Sequence, residues 1–397
     1  MIPDGRAPAR HPQNLERPAF RPVALTIALL AGFAALAAAR AFPEKLSAKM
    51  PDLAVYWTAA GRARAAQPLY RPEDGHYQFK YLPAFAVLTA PAARVPLDRA
   101  KAAWLVISVM LLVALLALSL SLLPELQRPA WWLVGATLIV MLKFYGHELV
   151  LGQMNVLFAV IVARAVVDMR RGREWLAGVL LAAAIVVKPY AVIFVPWIVA
   201  RRRLGSMAAL AIGIGVILVL PAAIYGVSGD AELHRAWWKT VTESTAPNLT
   251  NADNVSIAAM WTKWLGSGRT AALLSTLTGA ALLGAAAFTF LRRRAVRFPE
   301  ALEAALLLTC IPLLSPQGWD YVFLIATPAI MIALNYFAVL SPPLRGAVAA
   351  ALVLIGFTLY DIMGRAAYST FMMASALTVC FFVIIAALVD IRAHSAA

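Results

Sequence analysis

Apolar residues in this chain fall into long, nearly unbroken runs, without the strict alternation of a half-buried strand or the one-face spacing of a soluble helix. Twelve such runs have helix length, at 22–41, 99–123, 130–146, 155–169, 174–187, 189–200, 204–225, 268–291, 300–314, 320–338, 345–361 and 369–390. A bilayer span takes roughly 17 to 25 residues, so the pair 174–187 and 189–200 is short. Two connections are long, 42–98 and 226–267. Inside the first, the apolar stretch 81–96 is interrupted by Pro83, Pro91 and Pro96, which suits short helices lying on a membrane surface better than a span. Inside the second, 255–265 sets Trp261 and Trp264 beside Lys263, a mixture suited to the headgroup region.

Composition agrees with a bilayer as the solvent. Of 397 residues, 62% are apolar and only 14% charged, where soluble proteins have about 25% charged. One soluble core at this length cannot absorb that much apolar surface. The two cysteines, Cys310 and Cys380, sit inside apolar runs, so neither a disulfide nor a Cys-based metal site is expected. The reading is an all-α polytopic membrane protein with about twelve spans. It comprises a basic tail, 1–21, and a single transmembrane domain, 22–397.

The formal charge of +15 is not a nucleic-acid signature, because most Lys and Arg residues punctuate the runs. With the N-terminus inside, the short inner connections hold Arg128, Arg170, Arg171, Arg173, Arg201, Arg202, Arg203, Arg292, Arg293, Arg294, Arg297 and Arg345. The short outer ones hold only Lys188 and Arg365. By the positive-inside rule both termini are cytoplasmic and 42–98 and 226–267 are extracytoplasmic. Arg6, Arg10, Arg17 and Arg21 in the tail agree. Residues 37–41 resemble a signal-peptidase site, but the apolar stretch and the tail before it are long for a signal peptide, so 22–41 is read as an uncleaved helix.

The outer segments collect nearly all the unusual polar residues: Asp52, Tyr56 and Trp57; Tyr70; Lys80 and Tyr81; His147 and Glu148; Gln153 and Asn155; Lys188; Asn254 and Ser256; Gln317, Trp319 and Asp320. Each has a plain structural reading. Asp52 follows Pro51 and precedes helix-forming residues, as an N-cap does. Lys188 can snorkel. Gly152-Gln153-Met154-Asn155 and Ser315-Pro316-Gln317-Gly318-Trp319-Asp320 can be turns. Lys143, Arg164 and Asp168 lie near run ends, where snorkelling keeps them wet, whereas a transporter or lipid flippase, the alternative class, places ionisable groups at mid-span.

Taken together the motifs carry more. The order Pro51-Asp52-Leu53 with Tyr56-Trp57, Gln67-Pro68-Leu69-Tyr70, Phe79-Lys80-Tyr81-Leu82-Pro83, Gly152-Gln153-Met154-Asn155, Gly178 through Lys188-Pro189, Asn254-Val255-Ser256, and Leu314-Ser315-Pro316 with Trp319-Asp320 resembles glycosyltransferase family 87 over about residues 45–335. These are membrane enzymes of the GT-C type and include polyprenol-phosphate-mannose-dependent mannosyltransferases of actinobacteria. The resemblance implies a GT-C fold in a bacterial plasma membrane and transfer of a hexose, mannose being one candidate, from a polyprenyl-phosphate donor to a hydroxyl acceptor. That acceptor is a glycolipid, polysaccharide or protein. An acidic residue in the first extracytoplasmic loop is the family's expected general base, and Asp52 matches it. Relatives of the mycobacterial enzymes often carry a His after the Trp-Asp pair, where this chain has Tyr321 and Val322.

The chemistry is compatible with that implication. A departing lipid phosphate gathers negative charge, which Lys80, Lys188 and, less directly, Arg62 or Arg64 are suited to meet. A carboxylate can take the acceptor's proton. No Asp-x-Asp pair stands in an outer loop and His76, His147 and His234 are scattered, so no metal and no cofactor are expected.

Overall fold

The computed structural model describes residues 20–291 and 299–394. The tail with Arg6, Arg10 and Arg17 and the connection with Arg292, Arg293, Arg294 and Arg297 lie outside the described residues, as does the side chain of Arg21. Among the described residues the chain is helical, and its single β pairing is an isolated antiparallel bridge between Asn254 and Trp319.

Along the first half run α1 (Phe20–Ala41), α2 (Pro43–Ser47), α3 (Pro51–Arg64), α4 (Pro83–Thr89), α5 (Leu97–Leu122), α6 (Ala130–Leu151), α7 (Asn155–Arg170), α8 (Glu174–Val187), α9 (Phe194–Ala200) and α10 (Leu204–Val219). The second half contains α11 (Ala222–Glu243), α12 (Ile257–Leu265), α13 (Arg269–Leu291), α14 (Pro299–Leu314), α15 (Thr327–Asn335), α16 (Pro342–Phe357), α17 (Tyr360–Met363), α18 (Arg365–Met373) and α19 (Ala376–His394). By length and composition α5, α6, α13 and most of α19 can each cross a membrane, and α10 with the following helix makes a fifth if the 85° bend between them is counted within one span.

Twelve apolar runs therefore yield fewer full-length helices, for local reasons. Pro189 starts a 3₁₀ turn, Pro189–Ile193, before α9, and Asp320–Ala326 is likewise 3₁₀ ahead of α15. Ser375 takes a left-handed φ of 54° and separates α18 from α19 within the run 369–390. The long connection 226–267 is mostly helix: α11 continues through a kink at Gly226 (φ 70°, ψ 170°) to Glu243. Val227 and Trp238 stand exposed on it while Leu233 is buried. The short helices expected in 81–96 and 255–265 are present as α4, the 3₁₀ segment Ala90–Arg94, and α12.

Helix α14 is the axis of the bundle. Its residues from Ala301 to Leu313 are buried on every side, which is why its sequence is apolar all round. Phe323 stacks on Phe381 with ring centroids 3.5 Å apart, and Phe144 meets both edge-on. Helices α8 and α10 approach closely through small residues: a Cβ on Gly178 would collide with Ser206 O and Ala209 Cβ, and one on Gly213 with Ala182 Cβ. Gly178→Leu is expected to cost at least about 1 to 3 kcal/mol by overpacking, seen as a lower melting temperature in detergent. An unchanged melting temperature would show that the two helices can separate freely there.

The two ends of the bundle differ. At one, Arg164 and Arg173 pair with Asp168, Arg203 with Glu174 and Glu300, and Arg201 with Glu303, which also accepts Trp197 Nε1. Arg164 and Asp168 are thus an i,i+4 pair, 2.6 Å apart. The opposite end gathers 50–96, 147–155, 188–190, 237–256 and 315–321 around one cavity.

Candidate active site

The site begins at a tight crossing of two chain segments. Met50, in the left-handed region at φ 59°, is the N-cap of α3, and its N–H donates to Val150 O at 2.8 Å. Pro51 then occupies the first helical position and Asp52 the second. Gly152 ends α6 at φ 69°, and a Cβ on it would lie 2.8 Å from Met50 Cβ and 2.9 Å from Leu53 Cβ. Glycine satisfies both demands, the conformation and the space. The crossing sets Gln153 directly against Asp52.

Asp52 is therefore not the N-cap. Its carboxylate accepts from Gln153 Nε2 at 2.5 Å. Gln153 Oε1 in turn accepts from Tyr56 OH at 3.0 Å, which sets the direction of the amide. Tyr56 OH also shares a 2.8 Å hydrogen bond with Tyr81 OH, and Gln153 Nε2 reaches Tyr321 OH at 3.3 Å. Burial pushes the Asp52 pKa above the ordinary carboxylate value, against the opposing pull of Gln153, Lys188, His76 and Lys80. A carboxylate so placed is a stronger base than one in water.

Two ammonium groups share the cavity. Lys80 Nζ donates to Gln317 Oε1 at 3.2 Å, and the Gln317 amide is anchored on Ser244 Oγ (2.9 Å) and Thr245 Oγ1 (3.1 Å). Burial lowers the Lys80 pKa while Asp52 holds it up. Lys188 precedes Pro189 in extended backbone (φ −146°, ψ 113°), as a residue before proline prefers. Its Nζ lies 4.9 Å from the Tyr81 ring centroid and makes no hydrogen bond among the described residues. It faces the cavity, so snorkelling is not its arrangement here.

The cavity measures about 630 Å³ and is lined by Asp52, Tyr56, Lys80, Tyr81, His147, Gln153, Lys188, Gln317, Trp319 and Asp320 among the residues expected from sequence. The other expected residues are elsewhere. Trp57 turns away and donates to Val95 O. Asn155 is buried and donates to Glu148 Oε2, while Glu148 Oε1 accepts Val156 N and so caps α7. Asn254 braces its loop through Ser256 N, Asn248 O and Pro316 O, and Ser256 is the N-cap of α12. Arg62 forms a bidentate ion pair with Asp74 (2.5 and 2.7 Å) and Arg64 is exposed; neither lines the cavity.

Tyr190, Trp237 and Asp253, which no sequence motif marks, also line the cavity, as do His76 and Tyr321, to which the sequence assigns no binding role. Lys143 departs from its expected snorkelling position. It is buried, 2.6 Å from Asp320 Oδ2, and each side chain of the pair is 2% exposed. Asp320 is thereby neutralised, with His147 Nδ1 3.9 Å away. Among the described residues no group of three His, Cys, Asp or Glu side chains is placed to hold a metal ion.

Comparison with protein families gives one decisive match: the model of glycosyltransferase family 87 covers residues 79–316, more than half of the chain. The chain belongs to glycosyltransferase family 87. It is a membrane glycosyltransferase. Neither curated proteins nor solved structures give a match. The family stretch contains Lys80, Tyr81, His147, Gln153, Lys188 and Gln153's neighbour Gly152, whereas Asp52, Trp319, Asp320 and Tyr321 lie beyond its ends.

Proposed function

We propose that this family 87 protein transfers a hexose, mannose being one candidate, from a polyprenyl-phosphate donor to a hydroxyl of a glycolipid, polysaccharide or protein. The reaction takes place at the extracytoplasmic face of a bacterial plasma membrane, with both termini cytoplasmic and the shorter apolar helices completing a GT-C bundle of about twelve spans. The observation that carries the reading is the meeting of one raised-pKa carboxylate, Asp52, with two ammonium groups, Lys80 and Lys188, in a single cavity.

Each group has a part in the step. The acceptor oxygen attacks the anomeric carbon as Asp52 takes its proton. The bond from that carbon to the phosphate oxygen breaks, and its electron pair leaves with the polyprenyl phosphate. Lys80 and Lys188 face the charge that builds on the phosphate. In-line attack inverts the anomeric carbon. Gln153 holds Asp52 by one oxygen while Tyr56 fixes Gln153.

The reading is tested by incubating purified protein with labelled polyprenyl-phosphate sugars and a membrane extract, then identifying the product by mass spectrometry. A labelled glycolipid, glycan or glycoprotein is expected. Label remaining on the polyprenyl phosphate with every donor would overturn the proposal. Within it, Lys188→Gln removes one charge-assisted contact, about 1.5 to 3 kcal/mol, and is expected to weaken donor affinity roughly ten- to hundredfold without lowering the melting temperature. Unchanged donor affinity would return Lys188 to a structural role.

A further inference from the structure

The cavity has a second polar wall that the transfer step leaves unused. Asp253 lies there with Asn251, His147 and Trp319. Its turn is pinned twice, by Asp253 N donating to Asn251 Oδ1 at 2.9 Å and by Asp320 N donating to Asp253 O at 3.0 Å. Asp253 Oδ1 accepts Tyr368 OH at 2.9 Å. The other oxygen, Oδ2, makes no hydrogen bond among the described residues, and Asp253 lines the cavity.

Tyr368 is itself oriented by a buried charge. Lys143 Nζ, ion-paired to Asp320, donates to Tyr368 OH at 3.0 Å. A phenol that accepts from an ammonium has one proton left to give, and that proton goes to Asp253. The chain Asp320, Lys143, Tyr368, Asp253 thus links two carboxylates that line the cavity through a buried ammonium and a phenol. Tyr368 stands on α18, outside the family stretch 79–316.

We propose that Asp253 binds the acceptor through its hydroxyls, that Tyr368 positions Asp253, and that the acceptor end entering the cavity is a sugar. This rests on the transferase reading above. A carboxylate accepts hydroxyl protons and repels anions. Beside it, the Asn251 amide and His147 imidazole offer further hydrogen-bonding atoms, and the half-buried Trp319 offers an aromatic face to an apolar sugar face. Acceptor recognition then depends on a C-terminal helix, α18, that the family match does not include.

The test uses the full-length protein in a non-glycosidic detergent, with three probes: octyl hexosides, the corresponding free methyl hexosides, and a Ser/Thr peptide. Polyprenyl phosphate serves as the control ligand for the donor side. Saturable hexoside binding is expected in the parent; octyl over methyl preference assigns a glycolipid source, equal affinity a free glycan. Asp253→Asn should weaken hexoside binding about tenfold or more. Tyr368→Phe, which leaves the carboxylate in place, should raise the hexoside KM severalfold with kcat within about threefold. Both variants should bind polyprenyl phosphate as the parent does. Peptide binding in place of hexoside, no hexoside binding at all, or parental hexoside affinity in Asp253→Asn would overturn the inference. Failure of the parent to bind polyprenyl phosphate would instead overturn the polyprenyl-phosphate donor proposed above.

Discussion

Asp52→Asn is expected to leave a protein that inserts and melts like the parent, binds polyprenyl-phosphate sugar, and transfers it at least about a hundredfold more slowly, since a general base typically contributes 10² to 10⁴ in rate. Asparagine has nearly the same shape and can still accept from Gln153 Nε2, so the crossing of α3 and α6 at Gly152 stays intact. It cannot take a proton from the acceptor at neutral pH. The sign of the pH dependence follows from the same residue. Asp52 must be ionised to act, and its pKa is raised by burial, so activity falls with acidification at a pH above the ordinary carboxylate range. A parental rate in the Asn variant would remove Asp52 from the chemistry. Asp320 is a poor substitute base, because Lys143 already holds it at 2.6 Å.

Lys143→Met should be the most destabilising single change at this end of the bundle. It leaves the Asp320 carboxylate buried without its counter-ion, and such a loss costs about 3 to 5 kcal/mol. It also removes the donor to Tyr368 OH. The expected readings are poor yield and a melting temperature many degrees below the parent. Adding Asp320→Leu removes the stranded charge and should recover much of the stability, because a buried pair exchanged for apolar groups is often neutral. If Lys143→Met melts like the parent, water reaches the pair and the two charges are not truly buried.

Much of this site was legible in the chain, but not its inner supports. Asp52, Gln153, Lys80 and Lys188 stood out because each interrupts an apolar or Pro-bounded context near a turn, and all four meet in the cavity. Asn155, Asn254 and Ser256 stood in equally distinctive motifs, yet they cap and brace neighbouring turns. A motif marks a place where backbone must be held, and the holding residue and the reacting residue look alike in one dimension. Lys143 lies deeper than an apolar run ending at 146 implies, because α6 continues to Leu151 and carries Lys143 inward. Asp253 and Tyr368 are 115 positions apart and belong to segments with no shared pattern. The helix 227–243 was hidden by Gly226, which bends the chain without ending the helical stretch.

The claim on which the rest depends is that a polyprenyl phosphate leaves as the sugar is transferred. Phosphorus NMR of the purified protein with a polyprenyl-phosphate hexose and a competent acceptor follows that bond directly. The account predicts that the donor's phosphodiester signal is replaced, mole for mole with glycosylated product, by a phosphomonoester signal, in the parent and far more slowly in Asp52→Asn. Product formed while the phosphodiester stays constant, or formed only from a nucleotide sugar, would contradict it.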